Sequence, residues 1–241
     1  MDRVIYTAMT GAKSTLGQQA AVAHNLANAD ATGFRTEMHR MRAVEVQTQA
    51  YRTRSFVVDA SIGTDFTPGS LKYTGSPLDV AVKGKGWLAV QTASGEAYTR
   101  NGSMEVTENG LLQTHAGLPV LSDGGPITIP PDSVIVIGTD GTISAIQEGI
   151  TNEVARLKIV NPPEADLVRG EDGFFRQQNG LPAPADELGQ VAGGYLETSN
   201  VNVAEQVVLM ISLSRQFEMQ MRMMTNAQEN DRSATQVIAP R

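Results

Sequence analysis

Three sets of residues in this sequence could do chemistry. Gly84-x-Gly86 could open a phosphate-cradling loop. His24, His39 and His115 could ligate a metal, and Asp123, Asp140 and Asp172 could supply carboxylates for acid–base work. None of the three withstands its context. Gly84 and Gly86 lead into Trp87-Leu88-Ala89-Val90-Gln91, a strand pattern, whereas a phosphate loop needs a helix behind it whose free amides and dipole face the anion. The pair reads as a hairpin turn. The histidines are scattered, without a carboxylate or second histidine at ligand spacing. Each of the three aspartates precedes a glycine, which is turn chemistry, while paired-carboxylate catalysis needs two acids converging in one cleft. With no cysteine there is no thiolate nucleophile or disulfide, and no Gly-x-Ser-x-Gly elbow occurs. The sequence offers no catalytic group, no metal site and no cofactor motif.

The elements around these residues explain more. From Asp2 to Asn28, Ile5, Ala8, Met9, Ala12, Leu16, Ala20, Ala23 and Leu26 recur at helical spacing without proline. From Asn202 to about Val237 a second helix is expected, with Val203, Val207, Met210, Ser214, Phe217, Met221 and Met224 alternating by four and three, the spacing of an a/d seam. Asn202 and Glu205 stand three apart before that apolar run, as in a capping box. Five of the ten methionines lie between Met210 and Met224, some off the seam. A helix apolar on two stripes needs two partners, and methionine adapts to non-identical ones. The first helix is rich in Ala and Gly, so it buries little area alone. It is expected to fray in the monomer and order on assembly.

Between the helices the texture is β. Leu71–Thr74, Leu78–Val82, Trp87–Gln91, Tyr98–Arg100, Met104–Thr107, Ile127–Ile129, Val134–Ile137 and Val154–Val160 read as strands. Asn101-Gly102, Asn109-Gly110, Asp123-Gly124 and Asp140-Gly141 supply tight-turn signals. Residues 161–194 read as loops and short strands, and Phe34–Gln49 fits helix or strand. The expected fold is therefore mainly β with terminal α-helices. Residues 1–54 and 200–241 would pack their helices as a coiled-coil-like layer, and 55–199 would form a β-rich central domain.

The net charge of −7 is uneven. Residues 1–54 carry +3, residues 200–241 carry none, and the middle carries −10. An acidic middle repels nucleic acid, and the near-neutral ends can pack in many copies. The first residues lack the apolar core of a signal peptide, since Lys13, Gln18 and Gln19 interrupt it. Composition alone points to the cytoplasm.

The motifs are more specific than the composition. Asn25-Leu26-Ala27-Asn28 followed by Thr32-Gly33-Phe34-Arg35 resembles the signature of the bacterial flagellar rod and hook proteins. Thr67–Leu71, Thr74–Ala81, Tyr98–Gly102, Asp140–Ile143 and Ser199–Asn202 extend the likeness in order along the chain. Met1–Met9 and Arg215–Met221 look most like the proximal-rod branch of that family, with the distal-rod branch as the alternative. The resemblance implies a non-enzymatic subunit that polymerises helically into the periplasm-spanning drive shaft. It implies partners that are copies of itself, other proximal and distal rod subunits and the flagellar type III export apparatus, with no nucleic acid and no small-molecule substrate. Export without a cleaved signal replaces the cytoplasmic reading. On this view Ile5, Met9, Leu16, Leu26, Val203, Val207, Met210, Phe217, Met221 and Met224 pack between helices. Asn25, Asn28, Gly33, Phe34 and Arg35 fix the turn after the first helix and touch neighbouring subunits. A β-rich enzyme or binding module with a helical hairpin is the competing class.

Overall fold

The computed structural model describes residues 3–45 and 55–238. The expected helix start at Asp2 and the far end of the Phe34–Gln49 segment lie outside the described residues. Helix α1 (Arg3–Ala27) is followed by strands β1 (Glu37–Glu45), β2 (Ser55–Thr64), β3 (Leu71–Tyr73), β4 (Val80–Lys83), β5 (Trp87–Thr92) and β6 (Gly95–Thr99). Next come β7 (Met104–Val106), β8 (Leu112–Thr114), β9 (Leu121–Ser122), β10 (Gly125–Pro126), β11 (Val134–Ile137) and β12 (Thr142–Gln147). β13 (Ile150–Arg156), β14 (Ile159–Val160), β15 (Leu167–Arg169), β16 (Phe175–Gln177), β17 (Gln190–Gly193), β18 (Tyr195–Glu197) and helix α2 (Val203–Ile238) complete the chain. It is mainly β with a helix near each end, as expected.

Two compact units share these elements. One comprises Met1–Ala29, Thr36–Asp65 and Val201–Arg241; the other comprises Asp30–Arg35 and Phe66–Asn200. In the helical unit, α1 packs on α2 and also on the antiparallel β1–β2 ribbon, where Ser14 and Gln18 meet the Met41 thioether. The ribbon thus gives α1, helical from Arg3 to Ala27, a second partner besides α2. The Phe34–Gln49 ambiguity resolves to strand from Glu37 to Glu45, paired antiparallel along its length with β2. Asn202 caps α2 as expected, its Oδ1 accepting from the Glu205 N–H at 3.4 Å and its carbonyl from Gln206.

The β unit is built around a five-stranded sheet in the order β14-β5-β6-β16-β15 and a three-stranded sheet β11-β12-β13. Strand alternation divides its core in two. Leu88 and Ile159 point into one cluster with Val80, Leu112, Ile127 and Ile143, while Trp87, Ala89 and Val160 point into the other with Tyr98 and Phe175. Trp87 meets Phe175 in a tilted contact at 4.6 Å and Phe66 edge-on at 6.0 Å. The turn signals hold at Asn109-Gly110, Asp123-Gly124 and Asp140-Gly141, which join β7–β8, β9–β10 and β11–β12.

Other local readings change. Asn101-Gly102 is not a hairpin turn, because β6 and β7 lie in different sheets. Gly102 is instead pressed on the Val80 carbonyl, where a Cβ would lie 1.7 Å from the oxygen. The Gly84–Gly86 loop also joins different sheets rather than forming a hairpin. Val154–Val160 splits between β13 and β14, and Ile127–Ile129 contributes one isolated bridge with both isoleucines buried.

Candidate assembly surface

The helices have an inner and an outer face. On α2 the positions covered in the single chain are Gln206, Met210, Leu213, Ser214, Phe217, Gln220, Met224 and Ala227, of which Gln206 and Leu213 are buried. The four–three spacing read from sequence holds in part: Met210, Ser214, Phe217 and Met224 are shared with the expected seam, while Val203, Val207 and Met221 fall on the exposed side. Polar groups fix this phase. Thr15 hydroxyl lies 3.3 Å from Gln220 Oε1, Gln19 Nε2 donates to Ser214 at 3.0 Å, and Asn25 Nδ2 reaches Gln206 Oε1 at 3.4 Å. These pairs run in opposite chain directions, so the helices are antiparallel. Gly11 lies where a Cβ would come within 2.9 Å of the Gln220 amide. Buried amides that must find each other set register at some cost in stability.

The outer face of α2 carries Val203, Val207, Val208, Leu209, Ile211, Met219, Met221 and Met223, all exposed, with Val208 at 67% and Met219 at 59%. On α1, Met9 and Leu16 are about half exposed, and Ala20, Ala23 and Ala27 continue their four–three spacing on the exposed side. Exposed apolar residues in two groups on α2, 203–211 and 219–223, with exposed Ser212, Arg215, Gln216 and Glu218 between them, make a candidate interaction surface. Ile5 and Leu26 are partly covered.

The remaining expected residues are engaged within the chain. Asn25 is buried and pairs with the Glu37 backbone at both ends of its amide, at 2.9 and 2.8 Å. Asn28 Nδ2 donates to the His24 carbonyl at 2.9 Å, satisfying one of the free carbonyls at the end of α1. Gly33, Phe34 and Arg35 belong to the β unit. Arg35 Nη2 lies 2.6 Å from Glu197 Oε1, and Arg100 Nη1 donates to Glu197 Oε2 at 3.0 Å, with all three side chains buried. Burial lowers the pKa of Arg100, and the neighbouring Glu197 carboxylate raises it against that effect. Both guanidiniums face Trp87, 5.8 and 5.4 Å from its ring. Among the described residues no group of three His, Asp or Glu side chains gathers as a metal site would require, and no helix is long and apolar enough to cross a membrane.

A face built for packing, without a reaction centre beside it, directs attention to relatives that assemble. Residues 5–35 match the family model described as flagella basal body rod protein. Residues 81–145 match the flagellar hook protein FlgE/F/G D1 domain, and residues 192–237 match the flagellar basal body rod FlgEFG protein C-terminal region. Over 99% of both chains the sequence is 44% identical to the flagellar basal-body rod protein FlgF of Salmonella typhimurium, and equally so to that of Escherichia coli K12. It is 34% identical to the Caulobacter vibrioides FlgF over 98% of each. The chain belongs to the flagellar basal-body rod protein family. A Buchnera aphidicola rod protein of the FlgG kind is 30% identical over 89% of this chain.

For a rod-family chain, sequence reasoning missed Gln19, Gln206, Leu213 and Gln220 on the inner seam, and Arg100 and Glu197 beside Arg35. The first group was legible in principle, since a seam phased on Leu213 is as regular as one phased on Ser214. Nothing in the sequence joins Arg35 to Glu197.

Proposed function

We propose that this chain is a structural, non-enzymatic subunit of the flagellar basal-body rod, at the proximal end of the shaft. It polymerises helically with copies of itself and with other rod subunits. Residues 1–54 and 200–241 form the assembly core, their helices packing against neighbours in a coiled-coil-like layer, and 55–199 forms an outer β-rich domain. The shaft spans the periplasm and carries torque to the hook, and the chain reaches it through the flagellar type III apparatus without a cleaved signal.

The observation that carries this reading is the outer face of α2. Its valines, leucine, isoleucine and methionines are 40–67% exposed, and burying them would gain about 25 cal/mol per Å2 of apolar area. The small residues exposed on α1 allow close backbone approach. Stiffness in shear follows from many such contacts spread along long helices. The relatives named as basal-body rod proteins support the same role.

Sedimentation of the full-length protein tests it. Native chain should form polymers above a critical concentration, alone or with other rod subunits, and Val208→Glu with Met219→Glu should abolish this while leaving the monomer folded. A native chain that stays monomeric with every rod partner, or a double variant that polymerises normally, refutes the reading. Loss of motility on complementation with the double variant is the matching result in cells.

A further inference from the structure

Residues 30–35 are placed oddly. They follow α1 directly, yet they pack with the β unit. Their docking contacts are specific. The Gly33 N–H donates to the Glu197 carbonyl at 2.7 Å, and the Asn200 N–H to the Phe34 carbonyl at 3.4 Å. Arg169 donates to the Arg35 carbonyl at 3.2 Å, its guanidinium lying 4.5 Å over the Phe34 ring. Gly33 sits at φ +69 with its missing Cβ position 2.4 Å from the Arg100 carbonyl carbon, so no side chain fits there.

Yet the energetics of docking are poor. Two buried guanidiniums, Arg35 and Arg100, share the Glu197 carboxylate, and Arg100 is further held by the Val82 and Gly84 carbonyls at 3.0 and 2.6 Å, which leaves Arg35 the less compensated of the two. Nε and Nη1 of Arg35 are buried without a hydrogen-bond partner. A surface pocket of about 140 Å3 opens beside the segment, lined by Ala31–Arg35, Tyr98–Asn101, Arg169 and Asp172–Phe175. Neither hydrophobic cluster of the β unit includes any residue from 30 to 35, although Phe34 and Arg35 are themselves buried against the unit at 7% and 1% exposure.

We propose that residues 30–35 form a releasable strap, a separate cooperative element that docks on the β unit through Gly33, Arg35 and Glu197 and opens without unfolding the core. Release frees six residues of chain, up to about 20 Å fully extended, while the Asn25–Glu37 pair still holds the end of α1 to the start of β1. Specific geometry held by weak net energy is what a reversible latch requires.

Hydrogen exchange on the full-length native protein tests this directly. The amides of Gly33 and Asn200 should exchange together, through an opening that leaves them about a hundred-fold less protected than Leu112 and Val120 in the core. Gly33→Ala, which cannot dock, should remove protection at the strap and leave Leu112 and Val120 within about threefold of native. Strap amides that exchange only when the core does, or a Gly33→Ala chain whose core also loses protection, overturn the proposal.

Discussion

Leu213 and Val208 lie five residues apart on one helix and should respond oppositely to the same substitution. Leu213 is 4% exposed, on the face of α2 that packs on α1; Val208 is 67% exposed, on the outer face. Truncating a buried leucine to alanine costs its transfer energy plus a cavity, 2.7–5 kcal/mol in well-packed interiors, a range established on T4 lysozyme. The seam around Leu213 is thin and partly polar, with Ser214 bonded to Gln19 beside it. Partial collapse there places Leu213→Ala near the lower end, about 3 kcal/mol. Val208→Ala removes only exposed methyl groups and improves helix propensity, so the monomer should change by less than about 0.5 kcal/mol. On assembly the order reverses for Val208, where losing two buried carbons should weaken self-association by about 1–2 kcal/mol, or roughly tenfold in critical concentration. Both α-helices belong to one compact unit. Ellipticity at 222 nm during urea titration below the critical concentration therefore follows that unit, and sedimentation follows assembly. Equal monomer destabilisation by the two substitutions, or a Leu213→Ala cost under about 1 kcal/mol, would refute the division into inner and outer faces.

Four further outcomes follow from the same structure. Phe217, only partly covered, should cost about 2 kcal/mol on truncation to alanine in the monomer, below the 3–5 of a fully buried ring, with urea titration as the check. Gly102→Ala should destabilise the β unit by more than about 3 kcal/mol, because the new carbon meets the Val80 carbonyl oxygen; Gly84→Ala, in open space at φ +70, should cost only about 1, and thermal melts separate the two. Tyr98 accepts a hydrogen bond from the Ala183 N–H at 2.7 Å, and burial pushes its phenol up to about 12. Folding therefore favours the protonated phenol, so its stabilising contribution is complete below about pH 10 and is lost as pH rises toward 12, with absorbance at 295 nm showing one late-titrating tyrosine removed by Tyr98→Phe. The Arg176 hydrogen bond holds the Asp172 carboxyl below its usual range, so that turn contributes stability above the ordinary aspartate pKa and loses it as pH falls through the depressed value; Asp172→Asn should abolish the acid-side change.

The sequence alone determined the class of fold, the two helices and most tight turns, because those follow from local periodicity and from the backbone demands of Asn-Gly and Asp-Gly. The motif likeness around Asn25–Arg35 was likewise readable, and the relatives bear out the family it indicated. The phase of the α2 seam was not. Val207 and Gln206, or Met221 and Gln220, give equally regular spacing. The choice falls to Thr15 and Asn25 on the other helix, whose hydroxyl and amide pair with Gln220 and Gln206. An apolar pattern records which residues can be buried, and only the facing surface decides which are. Tertiary structure also decided the fate of Gly102, which looked like a turn and serves as a close approach to Val80. It decided the role of Arg35, whose carboxylate partner lies 162 positions along the chain at Glu197. Such a pair leaves no trace in local spacing, since a buried charge is satisfied in space and not in sequence.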